Sequence, residues 1–415
     1  MSLIRAFKGL RPVPSKVALV ASPPYDVLNS KEAREMARGN PLSFLHVVKP
    51  EIDLDPGINL YADEVYAKGA ENFRSLIEQG VMVLDPKECL YLYEQTMQFP
   101  GGKHVQVGVV CCASVDEYQN DLIKKHEFTR PDKEKDRTRH VDTLGANAGP
   151  VFLTYRADPK IDALVTEAYK TKPACDFVAD DGVGHRFWVV EKDDQIRQFI
   201  KAFAKVPHSY VADGHHRSAS ASGVREIRKA ANLNHTGDEE YNFFLAVFFP
   251  HNQLAIMDYN RVVMDLAGLS EDEFLGKAKE KFEVEKTDTP KPTKATEFGM
   301  YLGRTWWRLK AKPGTYNSKD PVASLDVAIL QDNLLTPILG IEDPRRDKRI
   351  DFVGGIRGLK ELERRVQQGA AVAFAMYPTS IGQLMAIADE GKTMPPKSTW
   401  FEPKLRSGLV VHLLD

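Results

Sequence analysis

Cysteine is scarce in this sequence, with four residues among 415. They are Cys89, Cys111, Cys112 and Cys175, and no two of them have the C-x-x-C spacing of a metal or redox pair. The adjacent Cys111 and Cys112 lie in the apolar stretch VQVGVVCCASV, which we interpret as a buried strand. Scattered, unpaired cysteines are typical of a protein of the reducing cytosol.

An excess of either charge and a long apolar run are also missing. The formal net charge is -2, which gives no general attraction to nucleic acids or anionic membranes. The longest apolar runs, such as FFLAVFF from Phe243, are far too short to span a bilayer. The opening MSLIRAFKGLRPVPSK has no apolar segment of signal-peptide length. We therefore expect a soluble cytoplasmic protein that contacts no membrane.

Several common catalytic signatures are absent. The sequence has no G-x-x-x-x-G-K-[ST] phosphate loop and no G-x-G-x-x-G dinucleotide fingerprint. It also has no G-x-S-x-G nucleophile elbow and no H-E-x-x-H zinc helix. Any nucleotide or phosphate site must therefore be built from other elements.

Strand and helix patterns are mixed along the chain. CLYLYEQTMQF and HVQVGVVCCASV, separated by PGGK, predict a β-hairpin. KVALVASPPYDV predicts a short strand ended by a double proline, and SKEAREMARGN predicts a helix with Ser30 as its N-cap. The predicted fold class is α/β, or alternatively α+β, with mixed sheets.

The best linker is EKTDTPKPTKATE at 285–297, which is rich in proline, threonine and charge. We therefore predict an N-terminal part over 1–285, which contains the polar motifs HEFTRPDKEKDR and DGHHR. A smaller C-terminal α/β part is predicted over 286–415, because strand and helix patterns alternate there.

The stretch SYVADGHHRSASASGVREIRK, from Ser209, predicts a strand, a turn at Asp213-Gly214 and a helix rich in small residues. The first turn of a helix has free N–H groups and a dipole that favours anions. His215, His216 and Arg217 add side-chain donors at the same place, and Arg217 can grip a phosphate or carboxylate with two hydrogen bonds. The pattern indicates an anion site; the alternative is a polar turn with a capping aspartate.

The segment KKHEFTRPDKEKDRTRH, from Lys124, is densely charged. Lys133 and Arg137 are four residues apart, so on a helix they share a face and can clamp a polyphosphate. His126 and Glu127 can supply a base and its partner, and Glu127 with Asp136 can ligate Mg²⁺. The alternative is a solvated helix with salt bridges between successive turns.

Other residues are weaker candidates for a substrate cleft. Tyr25 and Asp26 follow two prolines in PPYDV, where they form either a rigid turn or the edge of a site. Asn40 in GNPLSFLHV can line the same cleft. Thr129 and Asp136 complete the candidates, because both lie within the charged motif.

The chain resembles the DUF1015 family and, through ADGHHRSASA, the ParB/sulfiredoxin-like superfamily, which includes ParB-like free serine kinases. The resemblance runs along nearly the whole chain. The segments that carry it are SPPYDVLN, GNPLSFLHV, YLYEQ, HEFTRPDKEKDR, GPVFLTY, YVADGHHR and MPPKSTWFEPKL. The chain departs from many members at Ser218, where an aromatic residue is common.

The resemblance implies a nucleotide or phosphate site at Gly214–Arg217 and a ParB-like strand, DGHHR turn and helix. It implies phosphoryl transfer on a small hydroxyl metabolite, free L-serine or O-phosphoserine first, with the direction open between kinase and phosphatase. An adenine nucleotide, ADP or ATP, and Mg²⁺ are the expected cofactors. His126, Glu127 and His216 are the catalytic candidates.

Two alternatives belong to other classes of protein. A ParB-type DNA-binding protein would need a helix-turn-helix after the motif, where the sequence indicates strands instead, so DNA is a disfavoured partner. A non-catalytic regulatory protein would keep the anion site and lack a competent base.

Overall fold

The computed structural model of the chain describes residues 4–99 and 101–415 and divides it into two compact units. The first unit runs to Leu254 and also contains Pro403–Asp415. The second unit consists of Ala255–Glu402. The chain therefore leaves the first unit after Leu254 and returns to it at Pro403.

A mixed sheet forms the centre of the first unit. Parallel pairing joins Ile123–Lys124 to Ser209–Asp213 and Val151–Tyr155 to Phe243–Pro250, and the other neighbours are antiparallel. In order across the sheet, the strands are Ile123–Lys124, Ser209–Asp213, Val151–Tyr155, Phe243–Pro250, Gly102–Ser114, Leu90–Phe99, Gly184–Val190 and Cys175–Val178, and Ile4–Arg5 also pairs with Gly102–Ser114. The predicted mixed fold class is confirmed.

The middle of this sheet is completely buried. Every residue of Phe243–Pro250 is buried, because the strand has a neighbour on each side and both of its faces are covered. Cys111 and Cys112 lie opposite Ala246 and Leu245 in the adjacent strand, and both thiols are fully buried. The interpretation of these cysteines as packing residues is confirmed.

The first unit also contains a small antiparallel sheet and a set of helices. Its strands are Met82–Leu84, Gly9–Pro12, Val411–Leu413 and Ala146–Asn147. The α-helices are Val17–Val20, Ser30–Ala37, Leu45–Val48, Asp63–Glu78, Val115–Gln119, Pro131–Leu144, Pro159–Ala168, Asp193–Phe203 and His215–Ala231. The 3₁₀ turns are Tyr25–Val27, Pro50–Asp53, Glu240–Asn242 and His251–Gln253. In the described part of the chain, no helix combines the length and the apolar character needed to cross a membrane.

The predicted strand, turn and helix around DGHHR are present. The strand Ser209–Asp213 pairs with Val151–Tyr155, and the register of this pairing shifts between Val211 and Asp213. Gly214 follows the strand with φ +95°. That left-handed backbone suits glycine, which has no Cβ to clash. The helix His215–Ala231, named here the motif helix, begins directly after Gly214.

The HEFTRPDKEKDR motif leads into the helix Pro131–Leu144, named here the charged helix. Pro131 occupies its first turn, where the missing N–H has no cost, and Gly145 ends it with φ +66°. The charged helix packs against the motif helix at Gly223, where an added Cβ would lie 2.9 Å from Oγ1 of Thr138. The absence of a side chain at Gly223 permits this close approach.

The second unit is built on a six-stranded antiparallel sheet. In order, its strands are Phe282–Lys286, Thr305–Ala311, Glu297–Leu302, Val372–Ala375, Tyr259–Val263 and Ile350–Gly354, and a separate pair joins Ala255–Met257 to Trp400–Glu402. Its helices are Glu271–Lys281, Asp326–Leu330, Leu359–Gln367 and Ile381–Asp389, with a 3₁₀ turn at Gly355–Arg357 and a π-helical turn at Gln331–Leu335.

Two local predictions are wrong. The predicted strand in KVALVASPPYDV is a single helical turn, Val17–Val20, closed by a hydrogen bond from Ala21 N to Val17 O of 2.9 Å. A short apolar run fits either state, so its periodicity could not decide between them. Ser30 is the first helical residue rather than the cap: Asn29 accepts a hydrogen bond from Glu32 N, and the Glu32 carboxylate accepts one from Asn29 N, both at 2.9 Å.

The compact units divide the chain at 254/255 and again at 402/403, whereas the sequence prediction placed one boundary at 285/286. Tyr259–Val263 is an inner strand of the second unit's sheet, paired on both sides. The proline-rich stretch 285–297 connects two strands of that same sheet, Phe282–Lys286 and Glu297–Leu302. Local composition therefore identified a loop within one sheet.

We expect Asp326 to make the second unit less stable as the pH rises. Oδ1 of this buried carboxyl accepts a hydrogen bond from Thr296 N at 2.8 Å, and Oδ2 has no partner among the described residues. Burial raises its pKa from 3.8 to about 7. The folded state binds the Asp326 proton more tightly than the unfolded state does. The protonated carboxyl therefore contributes fully to stability below about pH 4, and this contribution is lost as the pH rises through about 7.

Asp326→Asn keeps the acceptor for Thr296 and removes the titration. The free energy of unfolding, measured with urea at about pH 5 and about pH 8, should therefore vary less in this variant than in the parent protein. The exposed Asp288→Asn serves as the control and should retain the parent profile. An unchanged pH dependence in Asp326→Asn would contradict the assignment.

Candidate functional site

The turn before the motif helix is fixed by Asp213. Its Oδ1 accepts a hydrogen bond from Gly214 N at 2.8 Å, and its Oδ2 accepts one from Nζ of Lys404 at 2.8 Å. Gln95 donates to the backbone carbonyl of Lys404 at 2.8 Å and so holds the lysine in place. Burial alone would raise the pKa of Asp213, but the charges of Lys404 and Arg217 hold it well below its usual range. The carboxylate therefore stays ionised at neutral pH.

Two histidines meet beside this turn. His126 comes from the start of the charged motif, and His215 is the first residue of the motif helix. Their rings are 4.4 Å apart between centroids and nearly perpendicular. Burial, together with a neighbouring histidine in each case, lowers the pKa of His126 to about 3 and that of His215 to about 4. Both rings are therefore neutral at pH 7.

Glu127 completes a histidine–glutamate cluster with His126 and His215. One possible ligand atom from each of the three side chains lies within 4.8 Å of the other two. Both histidines are buried, whereas Glu127 is half-buried. Two imidazoles and a carboxylate form a donor set that can hold a metal ion.

His216 links the two motifs directly. Its Nε2 accepts a hydrogen bond of 3.1 Å from the backbone N–H of Arg130. A neutral histidine that accepts at Nε2 carries its proton on Nδ1. The lone pair of Nε2 is therefore engaged by the backbone of the charged motif.

Tyr25, Asp26, Asp136, Arg137 and Arg217 form a second group, named here the arginine–tyrosine cluster. The guanidinium of Arg137 is 4.4 Å from the centroid of the Tyr25 ring, and that of Arg217 is 5.4 Å from it. Burial and the charge of Asp26 raise the pKa of Tyr25 to about 12, so the phenol stays protonated at neutral pH.

Each arginine of this cluster already has a carboxylate partner. Nη2 of Arg217 is 3.2 Å from Oδ1 of Asp26, and Nη1 of Arg217 donates a hydrogen bond to the carbonyl of Pro150 at 2.8 Å. Arg137 Nε donates to Asp136 Oδ2 at 2.9 Å. An incoming anion would therefore compete with Asp26 and Asp136 for the guanidinium groups.

The space enclosed beside the arginine–tyrosine cluster is small. A cavity of about 40 Å³ lies between Tyr25, Arg137 and Arg217 and is bordered by Gly149 and Ser220. Ligand pockets typically measure about 300–1,000 Å³. This cavity holds a water-sized molecule, so a larger ligand must contact the open side of the motifs.

The other predicted residues are placed as follows. Lys133 donates to the hydroxyl of Tyr61 at 3.3 Å, so it points to a different aromatic ring from Arg137. Thr129 donates to Glu134 at 2.8 Å at the entrance to the charged helix. Asn40 uses its side chain to hold a turn, donating to Leu19 O at 2.8 Å and accepting from Leu42 N at 3.2 Å. The structure thus brings Tyr25, Asp26 and Asp136 together and leaves Asn40 outside their cluster.

Two features of the site escaped the sequence interpretation. Lys404 lies in the FEPKL segment, and no local sequence pattern links it to Asp213. Phe128 lies within the HEFTR segment, and 70% of its surface is exposed. The sequence shows the aromatic residue among charged neighbours, but its exposure is visible only in the structure.

The fold and the site together define a class: a mixed α/β protein with a glycine-capped motif helix, a histidine–glutamate cluster and a paired arginine–tyrosine cluster. Within that class, the chain belongs to the DUF1015 family, described as proteins of unknown function, whose model matches residues 4–328. The predicted family is therefore confirmed. No curated protein matches the chain.

Solved structures give only distant likenesses. A free serine kinase variant in complex with ADP has 12% identity and a TM-score of 0.35, covering 71% of this chain and 87% of its own. A conserved hypothetical protein from Pyrococcus furiosus has 14% identity and a TM-score of 0.33, covering 72% and 93%. C-terminally truncated SbnI from Staphylococcus aureus has 12% identity and a TM-score of 0.38, covering 71% and 82%. Likenesses of this extent establish neither a shared activity nor a shared ligand.

We expect Lys404→Met to destabilise the first unit by leaving Asp213 without its cationic partner. The Asp213 side chain is 36% exposed, so solvent screens part of the loss, and about 1–2 kcal/mol is the expected cost at neutral pH. Because the folded pKa of Asp213 is depressed, the ion pair contributes above the unfolded value of 3.8 and is lost as the pH falls through the folded pKa. The difference between variant and parent should therefore shrink below about pH 4.

Lys170→Met is the matched control, since Lys170 forms an ion pair with Glu167 while its side chain is 68% exposed. It should cost less than about 0.5 kcal/mol. Urea unfolding of the three proteins across pH makes the comparison. Equal stability of Lys404→Met and Lys170→Met at neutral pH would show that the Asp213 pair does not support the turn.

Proposed function

We propose that this protein transfers a phosphoryl group between an adenine nucleotide and the hydroxyl of a small metabolite, with free L-serine and O-phosphoserine as the first candidates. The observation that carries the proposal is the meeting of the two motifs, through the His126–His215 contact and the hydrogen bond from Arg130 N to His216. The resemblance of DGHHR to ParB-like free serine kinases supports the choice of substrate. Either direction of transfer is compatible with this arrangement.

Phosphate binding is proposed at the beginning of the motif helix. Gly214 opens the helix with a left-handed backbone, and the helix dipole and free N–H groups of the first turn favour an anion. Asp213 is not itself a phosphate ligand here, since its carboxylate holds Gly214 and Lys404.

The arginines are proposed to neutralise the charge of the polyphosphate. Phosphoryl transfer depends on positioning and charge stabilisation more than on covalent chemistry with the protein. Arg217 and Arg137 would exchange a carboxylate for a phosphate oxygen, while Lys133 would contact the distal phosphates from the outer face of the charged helix. Phe128, which is 70% exposed, offers a surface for stacking of the base.

The chemical step needs one proton acceptor. In the forward direction, the hydroxyl oxygen attacks the terminal phosphorus of ATP or ADP, and the bond from that phosphorus to the bridging oxygen breaks. The hydroxyl proton passes to a carboxylate, which gives O-phosphoserine and the shortened nucleotide. Glu127 is the best-placed acceptor, because it is half-buried whereas His126 is fully enclosed.

The predicted Mg²⁺ does not fit a site made from Glu127 and Asp136. Asp136 Oδ1 accepts a hydrogen bond from the Tyr66 hydroxyl at 2.8 Å, and Oδ2 is engaged by Arg137 at 2.9 Å. Mg²⁺ prefers oxygen ligands in a regular octahedron and usually binds substrate phosphates with few protein ligands. Any Mg²⁺ would therefore arrive with the nucleotide.

The ParB-type alternative remains less well supported. In the described part of the chain, the segment that follows the motif helix forms the central strand Phe243–Pro250 rather than a helix-turn-helix. The net charge of -2 also gives no general attraction to DNA.

The test is an assay of the purified full chain with Mg²⁺. L-serine is supplied with ATP or ADP, and O-phosphoserine is supplied with ADP or alone, while phosphoserine is followed by mass spectrometry. Formation or consumption of phosphoserine supports the proposal. Absence of turnover in every combination would refute the serine assignment.

Arg217→Lys tests the proposed clamp. Lysine keeps the positive charge beside Asp26 but loses the planar pair of donors, so turnover should fall by about 10²–10³ with little change in melting temperature. Arg197→Lys, on the exposed side of another helix, is the control and should retain parental turnover. A fully active Arg217→Lys would remove Arg217 from the mechanism.

A further inference from the structure

Two buried ring nitrogens in the histidine–glutamate cluster have no hydrogen-bond partner among the described residues. They are Nε2 of His215 and the ring nitrogen of His126 that does not face the backbone of Val211. The two residues are only 2% and 5% exposed. Buried polar atoms without partners are rare in folded proteins, and an ordered water or ion is a usual reason for them.

A third donor lies beside these nitrogens. A carboxylate oxygen of Glu127 is within 4.8 Å of the possible ligand atoms of both histidines. Neutral imidazole and carboxylate are ligands that suit Zn²⁺ and the neighbouring first-row transition metals. Their convergence in one place is therefore chemically specific.

We propose that His126, Glu127 and His215 bind one divalent transition-metal ion, represented by Zn²⁺, at the beginning of the motif helix. Three protein ligands leave at least one position for water or for an oxygen of a bound substrate. A carboxylate bound through one oxygen keeps its second oxygen free to accept a proton, so this role is compatible with Glu127 as an acid or base. The metal site does not depend on the proposed phosphoryl transfer.

The geometry requires only a local closure around the ion. Ligand atoms of a tetrahedral Zn²⁺ site with bonds of about 2.1 Å are about 3.4 Å apart. The present limit of 4.8 Å therefore needs a contraction of about 1.4 Å at most. Glu127, the half-buried member, has the freedom to supply it by side-chain rotation, whereas His126 and His215 are held by burial.

The donor set also predicts which ions are rejected. Mg²⁺ prefers oxygen ligands and gives up its waters reluctantly, so two imidazoles select against it. Nε2 of His216 is engaged by Arg130 N, which makes it an unsuitable fourth ligand in this arrangement. The site should therefore take Zn²⁺ or Co²⁺ in the presence of excess Mg²⁺.

Metal binding is measured on the full chain without nucleotide or serine. After removal of metal with a chelator, Zn²⁺ is titrated by calorimetry, and Co²⁺ is added to give visible absorption bands that report its ligands. We expect about one ion per chain, bound with excess Mg²⁺ present. Glu127→Gln keeps the size of the side chain and should weaken Zn²⁺ binding by about tenfold or more. His126→Ala should abolish it.

His208→Ala is the matched control, because His208 also has a buried ring nitrogen without a described partner but lies outside the cluster. It should bind Zn²⁺ like the parent protein. If His126→Ala fails to fold, the affinity of Glu127→Gln for Zn²⁺ is the measurement that tests the site. Absence of Zn²⁺ binding by the parent, parental affinity in Glu127→Gln, or loss of binding in His208→Ala would overturn the site. None of these outcomes involves phosphoserine, so this test and the activity assay can fail separately.

Discussion

The close packing of the motif helix against the charged helix is the constraint on which both polar clusters depend. Gly223 allows this approach, since any Cβ there would come within 2.9 Å of the Thr138 hydroxyl. An ion pair of 3.0 Å between Arg228 and Asp142 joins the same two helices nearer their C-terminal ends. A larger residue at position 223 would force the Thr138 side chain or the two helices to shift.

The site balances its charges within the protein. Arg217 pairs with Asp26, Arg137 pairs with Asp136, and Lys404 pairs with Asp213. Buried charges need such partners, because an isolated ion is costly to remove from water. The same pairing makes ligand binding an exchange of one anion for another. The histidine–glutamate cluster differs in kind, because its histidines are neutral and each has a ring nitrogen without a hydrogen-bond partner among the described residues.

Sequence patterns predicted the local elements of this site and failed where distant segments meet. The strand, glycine turn and motif helix follow from apolar spacing and from Gly214, and Pro131 marks the start of the charged helix. The pairings of Asp213 with Lys404 and of Asp26 with Arg217 each join residues 191 positions apart, which no local pattern specifies. Helical spacing placed Lys133 and Arg137 on one face, but only packing decides that they meet different tyrosines.

The return of the chain to the first unit at Pro403 has a consequence for synthesis on the ribosome. All of Ala255–Glu402 is translated between the motif helix and the lysine that neutralises Asp213. The strand Val411–Leu413, which pairs with Gly9–Pro12, is translated after the whole second unit. The first unit therefore cannot complete its ion pairs or its small sheet until the second unit has been synthesised. A nascent chain stalled before Lys404 carries the motif helix with Asp213 still uncompensated.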